Sequence, residues 1–139
     1  MSDALTPDDR LEIRELFARW SRAEDTGASE DWAALFTEDG RCSNGRGETM
    51  RGHAELLRNS QERWRKATAR RSVHWMGEAV IDPAEDGARA RHTSMLIETV
   101  DGGGYRIRSL SERTYDVCRP ADAWLIRSRE FRRLPASED

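Results

Sequence analysis

The sequence is poor in the features that would commit it to several common classes of protein. It has two cysteines, Cys42 and Cys118, far apart and without CxxC spacing, which argues against a disulfide scaffold or a cysteine-based zinc site. They read as unpaired thiols of a reducing cytoplasm. No apolar run approaches the roughly 20 residues that cross a bilayer, and the opening MSDALTPDDR is acidic where an export leader is basic and then apolar. A soluble, cytoplasmic protein with no membrane partner is expected. Excess positive charge is missing too: the formal net charge is −3, so no nucleic-acid partner is expected, and the basic stretch 58–71, RNSQERWRKATARR, reads as a solvated helix face. There is no HExxH, HxxxH or carboxylate cluster at ligand spacing, so neither a metal nor a cofactor is expected. Only Lys66 among 23 basic residues is a lysine, a bias of GC-rich bacterial genes.

What is present is enough for one folded domain over 1–139. Five tryptophans and clearly periodic segments supply apolar area that a disordered chain lacks. Thr6-Pro7-Asp8-Asp9 is a helix start: a capping hydroxyl, a proline at the first turn, then acids at the positive end of the dipole. Ile13, Leu16, Phe17 and Trp20 form one apolar stripe that runs to the break at Gly27-Ala28-Ser29. A short second helix is expected over Glu30–Phe36, stopped by Glu38-Asp39-Gly40, with a tight hairpin at Asn44-Gly45 and a third, amphipathic helix after Gly52. From Arg71 onward the texture changes to alternating, β-branched and aromatic residues. Four strands near 72–82, 88–100, 104–118 and 123–134, joined by short connectors, predict an antiparallel meander. The fold class is α+β, helices first and a sheet second.

The phrases Ile13-Arg-Glu-Leu-Phe-Ala-Arg-Trp20, Ala-Glu-Asp25 and Asp31-Trp-Ala-Ala-Leu-Phe-Thr-Glu-Asp-Gly40 resemble the opening of SnoaL-like families of the nuclear-transport-factor-2-like superfamily. Arg51-Gly52, Val73-His74 and Trp124-Leu-Ile-Arg-Ser-Arg129 follow in the matching order. The resemblance implies a cone-shaped curved antiparallel sheet closed by three N-terminal helices. It does not fix an activity, because the superfamily hosts dehydratases, isomerases, cyclases, hydrolases and non-catalytic subunits. In the scytalone-dehydratase-like, bile-acid-dehydratase-like and dehydrochlorinase-like branches, an aspartate ending the first helix pairs with a histidine opening the first long strand. Asp25 and His74 match those positions, and Arg129 matches a last-strand arginine near the leaving group.

Three residues depart from that pattern. Trp20 stands where relatives carry Tyr or Lys, and an indole has no hydroxyl proton to give. Asn44 stands about where steroid isomerases place their base, and Glu78 follows His74 by four on the same side of a strand, a candidate second acid or base. Helical periodicity also disagrees with the resemblance: Asp25 falls about 120–130° from the stripe centre, whereas Glu24 falls near it. His53 and His92 read as surface residues, and alternation places Arg127 and Arg129 on one face of the last strand. A row of Trp75, Gly77, Ala79 and Ile81 is expected on the outside of the sheet, as the seat of a homodimer.

The expected activity is that of a cofactor-independent lyase, dehydratase or isomerase working through Asp25 and His74 on a small, apolar, cyclic molecule. That molecule is expected among Phe17, Trp20, Leu35, Leu56, Leu57 and Met76, with Glu78 nearby. A non-catalytic ligand-binding or oligomeric subunit and a polyketide-type cyclase are the alternatives.

Overall fold

The computed structural model describes residues 4–135, so the first three and last four residues of the expected domain lie outside the described residues. Helix α1 (Pro7–Thr26) begins as its sequence directs. The Thr6 hydroxyl accepts the Asp9 N–H at 3.0 Å, and the Asp9 carboxylate accepts the Thr6 N–H at 2.9 Å, a reciprocal cap. The helix stops at Gly27, whose φ of 73° is left-handed and whose absent Cβ would lie 2.3 Å from the Trp64 ring. That stop places Glu24 and Asp25 in the last turn, beside the sheet.

Helix α2 (Ser29–Ala34) is shorter than expected. Phe36 does not end it but opens strand β1 (Phe36–Ser43), which runs through Glu38-Asp39-Gly40. A register irregularity between Phe36 and Arg41 lets these polar residues sit outside while Phe36, Gly40 and Cys42 face in. The hairpin to β2 (Thr49–Arg51) is present, with a longer loop in which Asn44 Oδ1 accepts the N–H groups of Arg46 and Glu48. Helix α3 (Gly52–Trp64) is followed by a single turn, α4 (Ala67–Arg70), before the main strands begin.

Those strands are β3 (Ser72–Met76), β4 (Val80–Ala84), β5 (Gly87–Thr99), β6 (Tyr105–Cys118) and β7 (Leu125–Arg133). The expected strand 72–82 is thus two, broken where the Gly77 N–H turns to the Thr93 carbonyl, and β3 and β4 pair with different stretches of β5. The seven-stranded sheet runs β2-β1-β7-β6-β5-β3, with β4 as the seventh strand paired to β5 alongside β3. All of its pairs are antiparallel except β1 with β7, which are far apart in sequence and need no hairpin, so the sheet is mixed. It forms the curved, open sheet of the cone, covered by the N-terminal helices.

Two bulges decide which side chains point inward. Arg108 has no partner on β5, and Arg127 none on β6. The second bulge resets the alternation of β7: Ile126 and Arg129, three apart, are both buried, while Arg127 is exposed rather than sharing the face of Arg129. The core lies where the α1 stripe meets the inner row of β5–β7, including Ala90, Tyr115, Val117 and Ile126. Phe17 packs on Tyr115 with ring centroids 4.4 Å apart and the rings tilted by 38°.

The outer row is not the one expected. The break at Gly77 turns Ile81 into the core, and the exposed apolar face runs instead from Val73 and Trp75 across Met95 and Ile97 to Ile107 and Leu110. Trp75 is 64% exposed and Ile107 60%.

Candidate functional site

A cavity of about 310 Å³ opens between the end of α1, the α3–α4 segment and strands β1, β3, β6 and β7. His74 reaches it from β3, where Ser72 and His74 take the inward positions of the strand. Asp25 holds His74 twice. Both carboxylate oxygens accept the His74 backbone N–H at 3.1 Å, and one oxygen lies 2.6 Å from the ring Nδ1. The carboxylate therefore fixes the ring plane and favours the tautomer protonated on Nδ1.

Glu24 takes the other side of the ring. Its Oε1 lies 3.6 Å from His74 Nε2 and 3.3 Å from Arg63, beyond hydrogen-bond reach of the imidazole but close enough to act on its charge. Burial by itself would raise the Glu24 carboxyl, but His74, Arg63, Arg113 and Arg129 outweigh it and hold the group down at about 2. The buried carboxylate is ionised at neutral pH. The helical wheel and the family pattern are thus reconciled: α1 ends with two adjacent carboxylates, Glu24 turned inward and Asp25 bent to the opening of β3.

Two arginines complete the interior. Arg129 comes from β7 past the bulge, is 6% exposed and donates from one Nη to the Ser43 carbonyl. Arg113 comes from β6 and is 5% exposed. Both guanidiniums lie over Trp20, at 4.9 Å for Arg113 and 5.4 Å for Arg129, and both also lie over Phe131. Burial, followed by the neighbouring Arg129, draws the Arg113 guanidinium below its ordinary value. Cys42 lines the same cavity, and burial raises its thiol and keeps it neutral.

Glu24 and Arg113 did not stand out as site residues in the sequence, yet each left a signal there. Glu24 lies near the centre of the α1 apolar stripe, and Arg113 is the charged member of the inward row Ser111, Arg113, Tyr115, Val117. Arg63 and Lys66, from the stretch read as a solvated helix face, also line the cavity. Asn44 does so too, but its side-chain oxygen is occupied by the loop that it organises.

The expected apolar lining is not where the cavity is. Phe17, Trp20 and Leu56 are sealed in the core, Leu57 and Met76 pack partly buried against it, and Leu35 faces a separate groove between α1 and α2. The α1 stripe fills the apolar end of the cone directly against the sheet, so the open space falls at the polar end. Glu78 lies beyond the break at Gly77, exposed and outside the cavity lining. His53 is exposed as expected, but His92 is buried: it faces in with Ala88, Ala90 and Ser94, and its Nε2 lies 3.1 Å from the Tyr115 hydroxyl. Burial pulls His92 down to about 4.

Residues 6–130 match the family model of the SnoaL-like domain, and no curated protein matches the sequence. Among solved structures, an NTF2-like protein with a cystatin-like fold from Novosphingobium aromaticivorans superposes with a TM-score of 0.85 at 28% identity, over 94% of this chain and 84% of that one. Rv3472 of Mycobacterium tuberculosis, a protein of unknown function, gives 0.85 at 25% identity over 94% and 79%. A Nostoc punctiforme protein of unknown function, also with a cystatin-like fold, gives 0.83 at 24% identity over 96% and 97%. No helix among the described residues is long and apolar enough to cross a membrane.

Proposed function

The chain belongs to the SnoaL-like domain family, and from that premise we propose that it is a cofactor-independent lyase or isomerase in which His74 removes a proton from a carbon atom of a small molecule. The observation that carries this reading is the 2.6 Å contact between Asp25 and His74 Nδ1 at the edge of an open cavity. Asp25 keeps the proton on Nδ1 and leaves the Nε2 lone pair free to act as base. As Nε2 takes the proton, the ring becomes an imidazolium flanked by Asp25 and by Glu24 at 3.6 Å, so two carboxylates lower the energy of the charge that develops.

The electrons of the broken C–H bond form a new double bond while a substituent on the neighbouring carbon leaves with its bonding pair, which is elimination. If the proton returns at another carbon, the outcome is isomerisation. In either case negative charge grows on oxygen or on the leaving group, and Arg129 and Arg113 are the cations placed to meet it. Trp20 supports the two guanidiniums through the cation–π contact of its ring and does not donate a proton. A non-catalytic role would be favoured by a separated Asp25 and His74, or by a cone filled by Trp20. The short contact and the open cavity support the enzymatic reading instead. Two copies of the chain pair through the apolar outer face around Trp75 and Ile107.

The test is turnover of a panel of β-substituted carbonyl compounds and carboxylates by wild type and by His74→Ala. Loss of general-base catalysis is expected to slow the reaction by about 10²–10⁴-fold. Full turnover by a folded His74→Ala protein removes the mechanism.

A further inference from the structure

We propose that the ligand of this cavity is a small organic carboxylate whose carboxylate group seats on Arg113 and Arg129. The proposal takes from the functional reading only which cavity is the site. Arg and Lys supply seven of the lining side chains, whereas Glu24 is the single acid among them. Some of that positive charge is already answered: Arg63 by Glu24 at 3.3 Å, and Arg108 by Glu98 at 3.0 Å. Arg46, Lys66 and Arg133 are exposed at the rim, where they draw anions inward.

The two interior arginines are different. Arg113 Nε and Nη1 and Arg129 Nε are buried and have no hydrogen-bond partner among the described residues. A buried guanidinium with idle donors is costly, and an apolar ligand would leave it so. Ligand oxygens relieve it. Glu24, the single acid of the lining, is already paired with Arg63, so neither interior guanidinium has a contacting acid among the described residues. Shape selects the anion, because the planar edge of a guanidinium matches a planar carboxylate through two parallel hydrogen bonds, and both guanidinium carbons lie within 5.6 Å of the Trp20 and Phe131 ring centroids, out of contact with any described acid. The cavity, about 310 Å³, is at the lower end of ligand-pocket sizes and suits a compact acid. A carboxylate so placed also has a chemical consequence. The negative charge that spreads onto its oxygens when His74 takes the adjacent proton falls on the two cations.

The experiment is titration of the full chain with acetate and benzoate, with their neutral amides acetamide and benzamide, and with inorganic phosphate, followed by calorimetry. Benzoate is expected to bind at least about tenfold more tightly than benzamide, and Arg113→Gln or Arg129→Gln to weaken benzoate by about tenfold or more while leaving benzamide unchanged. Arg46→Ala at the rim is expected to weaken it about threefold or less. A readout on the unaltered chain guards against variants that do not fold: benzoate, but not benzamide, should shift the NMR signals of the Arg113 and Arg129 Nε–H groups. Benzamide binding as well as benzoate, phosphate binding more tightly than benzoate, or unshifted Nε–H signals each overturn the proposal. Arginine-dependent benzoate binding in a protein without His74-dependent chemistry keeps this inference and removes the enzymatic reading. His74-dependent turnover of neutral compounds alone does the reverse.

Discussion

Replacing Asp25 with alanine removes the acceptor from two donors of one residue. The His74 backbone N–H loses both carboxylate oxygens at 3.1 Å, and Nδ1 loses its contact at 2.6 Å. His74 is only 9% exposed, so water does not replace both partners without local rearrangement. Each orphaned buried donor costs about 1–3 kcal/mol, so the two together cost about 2–6 kcal/mol in Asp25→Ala. A domain of this size has on the order of 7–20 kcal/mol of stability, so the loss is large but the fold survives. Asp25→Asn keeps one carbonyl oxygen for the backbone N–H and is expected to lose about half as much. Urea unfolding followed by circular dichroism measures both, provided that the denaturant slope is unchanged. Glu62→Ala, at an exposed position of α3, is the control and should lie within about 0.5 kcal/mol of wild type. If Asp25→Ala costs no more than that control, Asp25 does not hold His74 and the site as described is wrong.

His92, at about 4 when folded against an ordinary 6.5, stays neutral while the unfolded chain takes up a proton, so stability should fall as pH drops from 6.5 to 4. The loss amounts to about 3 kcal/mol, and His92→Gln should remove this segment of the curve in unfolding experiments across pH. Glu24, depressed from 4.5 to about 2, adds a separate loss between those values that His92→Gln leaves in place. Gly27→Ala should destabilise by about 2–4 kcal/mol, from left-handed backbone strain plus displacement of the Trp64 ring, and thermal melts in a Trp64→Leu background should show a smaller penalty. Trp75→Lys should convert a dimer to a monomer in sedimentation equilibrium, and a wild-type protein that is already monomeric at micromolar concentration refutes the pairing.

Much of the fold is legible in the sequence because its signals are local. The Thr6 cap, the α1 stripe and the Gly27 stop are each set by residues within one or two turns, and the structure repeats them. The errors arise where distant segments decide. Phe36 joins a strand because β7 offers a parallel partner some ninety residues later, which no local pattern announces. Arg127 and Arg129 part company because of a bulge, and one inserted residue reverses every side chain after it. At the site, the family resemblance points to Asp25, His74 and Arg129, and the structure brings His74 and Arg129 to one cavity with Asp25 bonded behind the ring. The apolar residues expected as lining belong to the core, because apolar residues mark burial, and a core and a pocket look alike in a periodicity. Glu24 and Arg113 show the converse signal: a charged residue on an inward face.

The claim that His74 takes a proton from carbon is tested most directly by isotope exchange. Small carboxylates and carbonyl compounds that bind the protein are incubated with it in deuterium oxide, and loss of their C–H signals is followed by proton NMR. Exchange is expected at one carbon of a bound ligand, slowed by about 10²-fold or more in His74→Asn while that ligand still binds. Exchange that proceeds equally in His74→Asn, or a bound ligand that undergoes none, contradicts it.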